Sequence, residues 1–433
     1  MSDRQPVRLV LDVGRTNKKM LVFDQSGNAL MERLVGLSGL ELPDGRRVED
    51  ADALTEWMDD SVADACRESS WNVECINFSG YGATFVHLDG HGNTVMPPED
   101  YLDPFDEELV RSFEAAYGDR QELSRQTASP WLGNLNSGLQ LFRLKRHRPQ
   151  LFSRIAMSLH LPQFLSWHFT RQPVSDLTSV GCHTMLWDFT RSDYHGWVWA
   201  EGLDRLMAPM AEPASGHRIM LHGMARLIGN GLHDSSAALI PYLKSIREPF
   251  LLLSTGTWSI ALNPFNDEPL TADELLRDCL CYLTPEGRPV KAARYFIGPE
   301  HDGWVDKIAA RFSVAPDFYT AVDFDAEVSR RAARVASLEA CIDLTEAYHW
   351  AVGRLIGRQL EALRLASGAR GASVLCVDGG FSRNEVFMHQ LAASLPGMRV
   401  FAATLPQASA LGAAMGVGGA SWTDWSLTAN AIP

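Results

Sequence analysis

The chain has 433 residues, 46% of them hydrophobic and 21% charged, the balance of a folded globular protein rather than of a disordered one. At roughly 100–200 residues per domain, this length predicts two or three domains, with two large ones expected. A formal net charge of −14 argues against a broad nucleic-acid surface, because polyanions are held chiefly by neutralising their phosphates with Lys and Arg. Apolar runs such as Phe250 to Leu253 fall far short of the ~20 residues that a bilayer crossing needs, and the start of the chain lacks the basic and then apolar layout of a signal peptide. No membrane partner and a cytoplasmic location are therefore expected. The seven cysteines are scattered and read as reduced core thiols; Cys279 and Cys281 have no second Cys or His pair at zinc spacing.

In chain order, the first informative stretch is Leu9 to Asp24. Two apolar runs, Val7 to Val13 and Lys19 to Phe23, flank a polar turn with Gly14, Thr16 and Asn17, which predicts a β-hairpin with a small-residue tip. Asp12 closes its first strand. The tip reads either as an ordinary edge turn or as a corner where a carboxylate meets a hydrated metal ion and backbone N–H groups meet phosphate oxygens. Lys18 and Lys19 read as solvated hairpin charges, with phosphate contact as the alternative. Ala51 to Glu68 has helical apolar spacing. Val73 to Phe78 is strand-like, breaks at Ser79-Gly80-Tyr81-Gly82 and resumes as Thr84 to Leu88, an alternation that favours a sheet covered by helices. The region Leu139 to Trp199 is mostly helical in pattern, with Trp167, Trp187, Trp197 and Trp199 as packing residues or, for one of them, a sugar-stacking face.

Gly231 to Leu239 reads as a helix start with Asp234 or Ser235 at the cap. The bland role for Asp234 is capping; the sharper one is a carboxylate held by the helix dipole and accepting a proton from a substrate hydroxyl. His233 is equally a structural or a site residue. Phe250 to Leu262 then repeats the opening theme, a strand running into Ser254-Thr255-Gly256-Thr257 and a second strand leaving it. Two such hairpins, each opening about half of the chain, suggest a duplicated domain around a cleft. Glu300-His301-Asp302 reads as a polar loop or helix start. Tyr348 to Leu363 has one apolar helical face, and Val374 to Val377 is a buried-type strand emptying into Asp378-Gly379-Gly380-Phe381-Ser382-Arg383-Asn384 before another helix. That arrangement brings backbone amides toward a nucleotide, at a spacing that is neither a dinucleotide fingerprint nor a Walker loop. Ser409 to Ala414 reads as a small-residue helix face, ended by Gly416 and Gly418-Gly419.

With these motifs in hand, the chain resembles the FGGY carbohydrate kinases along nearly its whole length, and among them the deoxyketose kinases, rhamnulokinases and fuculokinases. The family's first phosphate motif corresponds to Asp12-Val13-Gly14-Arg15-Thr16-Asn17, its second to Ser254-Thr255-Gly256-Thr257-Trp258 and its adenosine motif to Gly379-Gly380-Phe381-Ser382-Arg383-Asn384. Its Gly-x-His-Asp element corresponds to Gly231 to Asp234. Tyr81 to Phe85 and Asn136 to Leu141 resemble its sugar-side segments. Three positions depart from the pattern: Thr84 where many relatives have an acidic residue, Asp378 where a third glycine is common, and Arg15 at a tip position usually filled by something small.

The resemblance implies an α/β fold of two duplicated actin-like, ribonuclease H-like (hexokinase-type) ATPase domains with a cleft between them, divided as residues 1–244 and 245–433. It implies ATP and Mg2+ as cofactors and a small-molecule ketose of L-rhamnulose, L-fuculose or xylulose type as substrate, phosphorylated on a primary hydroxyl. Asp234 is then the catalytic base and Asp12 the metal-side carboxylate. Gly14, Thr16, Asn17, Thr255, Gly256, Thr257, Gly379, Gly380 and Asn384 hold the nucleotide, and Gly82, Thr84, Asn136, Gln140, His233 and Asp234 face the sugar. A homodimer is a candidate assembly. The rival readings are a silent sugar or nucleotide sensor on the same fold, and an actin- or chaperone-type ATPase, which would need no base at Asp234.

Overall fold

A computed structural model describes residues 4–15, 17–82, 84–103, 105–369, 371–403, 405, 407–418, 427 and 429–432. Thr16, Ala83 and Gly419 of the sequence motifs lie outside the described residues. Two mixed α/β lobes each hold a seven-stranded sheet. In the first, strands Gln5–Val13, Lys18–Phe23 and Ala29–Val35 form an antiparallel meander, and Trp71–Gly80 joins the free side of Gln5–Val13 in parallel. The second sheet has the same plan. Phe250–Thr255, Ser259–Asn263 and Pro289–Tyr295 form the meander, and Val374–Gly379 runs parallel to Phe250–Thr255. Alternation of fully buried aliphatic side chains such as Leu9, Leu11 and Val13, and Leu251 and Leu253, seats these strands in the cores of their lobes.

Both hairpins expected from the residue pattern are present. The first is closed by Gly14 N–H donating to the Asn17 carbonyl at 3.0 Å, the second by Gly256 N–H donating to the Trp258 carbonyl at 2.9 Å. The helix expected at Ala51 to Glu68 runs Ala51–Arg67, capped by the Asp50 carboxylate on the Asp52 and Ala53 amides. The middle region is less helical than its pattern suggests. Helices such as Ser137–His147 and Leu161–Thr170 alternate with short strands such as Met157–His160, which pairs antiparallel with Phe85–Leu88, the strand expected earlier in the chain. Trp167 and Trp197 are buried there, whereas Trp199 is half-exposed.

The lobes meet through two helices. Asp234–Ser245 leads out of the first lobe, and Ala408–Met415, late in the chain, returns to pack on it and on Gln5–Val13 and Trp71–Gly80. Ala237, Ile240, Ala410, Ala413 and Ala414 share a core with Val10 and Leu21. The two backbones come so close that a Cβ on Gly412 would lie 1.8 Å from the Ala237 carbonyl oxygen. Arg8 donates to the Ala414 and Val417 carbonyls at 2.6 and 2.8 Å, and Asn77 donates to the Ala413 carbonyl at 2.7 Å. Among the described residues no helix is long and apolar enough to cross a membrane.

Candidate active site in the interlobe cleft

Parallel strand register lines up the candidate residues. Asp12 is paired with Ser79, and Ser79 with Leu232; one step on, Val13, Gly80 and His233 are neighbours, and Asp234 follows at the start of its helix. In the second lobe Ser254 pairs with Asp378 and Thr255 with Gly379. The duplication therefore sets Ser254 where the first lobe has Asp12, and Asp378 where it has Ser79. A cavity of about 310 Å3 opens between the lobes, lined by Asp234, Ser235 and Ser409 on one side and Ser254, Tyr282 and Asp378 on the other.

Asp234 is not the helix cap. The chain passes from the strand Leu232–His233 into the helix without a loop, so His233 takes the cap position with extended backbone and Asp234 becomes the first helical residue. Its Oδ1 accepts from the Ser235 amide at 2.6 Å and the Ser235 hydroxyl at 3.2 Å. About 37% of the Asp234 side chain remains open to the cleft. The surrounding burial pushes its carboxyl up to about 6, against the opposing pull of the Ser235 bonds. Asp12 is likewise pushed up to about 6, by burial and by the charge of Asp234, while the Ser409 hydroxyl and the charge of Lys19 pull it down. The Ser409 hydroxyl lies 3.2 Å from Asp12 Oδ2. Two mutually repelling carboxylates beside hydroxyls form an oxygen-donor set short of positive charge, which fits a hydrated Mg2+.

Gly14, Asn17, Gly256, Thr257, Gly379 and Gly380 all keep surface open at the hairpin tips and the third loop. Gly379 has φ +89°, and a Cβ there would fall 1.8 Å from the Thr255 carbonyl oxygen, so this backbone approach admits only glycine. Thr255 is buried and ties the two segments together, its hydroxyl donating to the Asp378 carbonyl at 2.5 Å and accepting from the Phe381 amide at 3.1 Å. Asp378 accepts from the Tyr242 hydroxyl at 2.9 Å and the Gly379 amide at 2.7 Å. Asn384 caps the helix Glu385–Ala393 through the Phe387 amide and donates to the Tyr348 hydroxyl at 2.5 Å.

In the first lobe, Gly82 lies against the His233 ring, where a Cβ would meet Cδ2 at 2.6 Å. Thr84 is buried and lines a separate cavity of about 140 Å3 with Arg15, Glu49, Tyr81, Asp100 and Tyr101. Asn136 spends its amide on loops: Oδ1 accepts from the Leu132 amide at 2.7 Å, and Nδ2 donates to the Pro130 and His183 carbonyls at 3.1 and 2.7 Å. Gln140 is buried and donates to the Asn134 carbonyl at 2.7 Å. Arg15 reaches Asp100 at 2.7 Å. Lys18, expected as a solvated charge, is instead 1% exposed and pairs with Glu49 at 3.0 Å, because Glu49 and the Gly14 and Arg15 carbonyls fold over its ammonium. Sequence reasoning did not single out Ser409, Tyr242 or Tyr282. Ser409 stood inside a run read only as small-residue packing, and nothing local marks the two tyrosines.

Two lobes of one design closing on a carboxylate-bearing cleft are the actin-like ATPase architecture of sugar kinases, and solved structures of that class overlay this chain over nearly its full length. A carbohydrate kinase from Novosphingobium aromaticivorans matches with a TM-score of 0.82 and 25% identity, covering 98% of this chain and 95% of the other. A ligand-bound xylulose kinase from Lactobacillus acidophilus shares the fold with a TM-score of 0.79 at 14% identity, covering 99% and 93%. Residues 7–209 match the FGGY family of carbohydrate kinases, N-terminal domain, and residues 247–337 the carbohydrate kinase FGGY C-terminal domain; the chain belongs to the FGGY family. A rhamnulokinase from Klebsiella pneumoniae is 27% identical over 58% of this chain and 52% of its own length. An L-fuculokinase from Escherichia coli is 24% identical over 60% and 57%. The chain spans little more than half the length of these curated relatives.

Proposed function

We propose that the chain is an ATP-dependent sugar kinase that phosphorylates a primary hydroxyl of a ketose of rhamnulose, fuculose or xylulose type. The observation that carries this reading is Asp234, a carboxylate with a raised pKa at a helix start on the wall of the interlobe cavity. A base near neutral pKa is well matched to removing a hydroxyl proton, and phosphoryl transfer asks mainly for alignment and charge neutralisation.

In this mechanism the hairpin tips, Gly14 to Asn17 and Thr255 to Thr257, hold the phosphates through backbone amides and hydroxyls, and the Gly379-Gly380 loop carries the adenosine. Asn384 supports that loop by capping the helix behind it. Asp12, with the Ser79 and Ser409 hydroxyls, would hold Mg2+ through water, and the ion supplies neutralisation of phosphate charge. Asp234 orients the acceptor hydroxyl and takes its proton on a carboxylate oxygen. Gly82 and His233 form the sugar-side wall next to Asp234, Thr84 faces the sugar from the neighbouring cavity beside Arg15 and Tyr81, and Asn136 and Gln140 keep the surrounding loops in place. Closure of the lobes excludes water, which would otherwise compete for the phosphoryl group.

A coupled ADP-release assay across rhamnulose, fuculose, xylulose, ribulose, erythrulose and glycerol tests the proposal. Stimulation by one ketose well above the others is expected. Lack of stimulation by any of them would favour the sensor reading.

A further inference from the structure

Behind Asp234 the fold gathers a second set of metal-binding groups. We propose that Cys182, His183 and His233 form a site for a zinc-class transition-metal ion, with Asp234 positioned to complete its coordination. One ligand atom from each of the three residues lies within 4.8 Å of the others. Cys182 Sγ is 3.1 Å from His233 Nε2, and the same nitrogen is 3.4 Å from Asp234 Oδ1. Tetrahedral Zn2+ with bonds of about 2.0–2.3 Å to N, O and S sets its ligands about 3.5 Å apart, so both separations lie close to the edges of such a site.

Three further observations point the same way. Cys182 and His233 are buried, whereas His183 keeps part of its surface open and gives an ion a way in. Nδ1 of both histidines has no hydrogen-bond partner among the described residues, so either ring can change tautomer or tilt toward an ion without breaking a bond there. His183 and Met185 both hold left-handed backbone, φ 41° and 62°. Asn136 donates to the His183 carbonyl at 2.7 Å, and the Gly138 amide donates to that of Thr184 at 2.9 Å. These bonds pin a loop that local preference disfavours, a form of strain often kept for binding. Burial also holds both imidazoles well below their usual range, so they stand ready as neutral ligands.

The donor chemistry separates this site from the one at Asp12. Sulfur and imidazole nitrogen favour Zn2+ and its neighbours, whereas the carboxylate and hydroxyl oxygens around Asp12 suit Mg2+. Binding replaces the S–H bond of Cys182 with an S–metal bond and releases one proton to solvent, with no change of oxidation state. An ion here engages Asp234 and turns its carboxylate away from a substrate hydroxyl. The metal site shares His233 and Asp234 with the proposed reaction but is argued without it; only this inhibitory consequence rests on that reading.

The test uses the full chain, reduced and stripped of transition metals, with Mg2+ present throughout. Titration with Co2+ is expected to give one equivalent of a thiolate-to-cobalt charge-transfer absorption, removed by Zn2+ in competition. Cys182→Ser should abolish that band, and His183→Ala, which removes a ligand, should weaken cobalt binding by more than the ~10–100-fold that loss of an outer-shell partner costs. Zn2+ at one equivalent should depress turnover in the unaltered chain, a chelator should restore it, and Cys182→Ser should resist the inhibition. Absence of the thiolate band in the unaltered chain overturns the proposal, as does its persistence in folded Cys182→Ser. A chain that shows the band but phosphorylates no sugar overturns the kinase reading and leaves the metal site standing.

Discussion

Asp12 and Asp234 share one electrostatic problem, two carboxyls in one cleft, with the charge of Lys19 relieving Asp12. Because Asp234 acts as a base only when ionised, kcat/KM should rise with pH to a plateau above an apparent pKa near 6, a value that belongs to the coupled pair. Asp234→Asn should remove that limb and lower turnover by at least ~10²-fold while ATP and sugar still bind. Near-normal turnover would sink the base assignment. Stability reads the same charges with the opposite slope. A carboxyl whose pKa is raised on folding favours the fold while protonated and loses that advantage as pH climbs from 3.8 through about 6. Asp12→Asn in metal-free, nucleotide-free protein should therefore be more stable than the unaltered chain by about 1–3 kcal/mol above neutral pH. The gap should close in acid, and a denaturant titration at several pH values measures it. Asp12 was legible as a candidate because it closes an apolar strand ahead of a small-residue turn, and Asp234 because it opens an apolar helix after Gly231. Ser409 could not be, since its contact with Asp12 spans 397 residues of chain.

At the scale of elements, the two hairpins and the glycine-rich third loop were legible because short apolar runs and small-residue turns are local signals. The middle region was not. Its aromatic, helix-like spacing folds as short helices interrupted by the strand Met157–His160, because pairing with Phe85–Leu88, about 70 residues earlier, outweighs local preference. The cap at Asp234 was missed for a similar reason: pairing of Leu232–His233 with Trp71–Gly80 carries the strand right up to the helix. The second-lobe loop is held, beside the Thr255 and Asp378 hydrogen bonds, by a close backbone contact of Gly379 against Thr255. Gly379→Ala adds both a clash at 1.8 Å and left-handed strain, and should destabilise the chain by about 3 kcal/mol or more. Thermal melting checks this, and Gly380→Ala, which meets nothing within 4 Å, is the control expected to melt close to the unaltered chain.

The duplication and the cleft were legible at the scale of the whole molecule, since two like hairpins open the two halves. The helix that stitches the halves together was not, because nothing in Ala408 to Met415 says which lobe it packs on. Its return to the first sheet means that the lobes are joined by more than the chain at residues 246–249: a non-covalent seam runs along Ala237 and Gly412, beside contacts such as the Cys281 amide on the Ala128 carbonyl. Cutting the covalent link should therefore not divide the molecule. Proteolysis at an engineered cleavage sequence between Ile246 and Pro249 should give two fragments that co-elute and unfold together. Gly412→Leu, which forces the seam apart, should let the same cut release them. By that measure the protein is an interlocked pair whose peptide linker is dispensable once folding is complete, and the two pieces, expressed separately, should find each other and reconstitute the cleft.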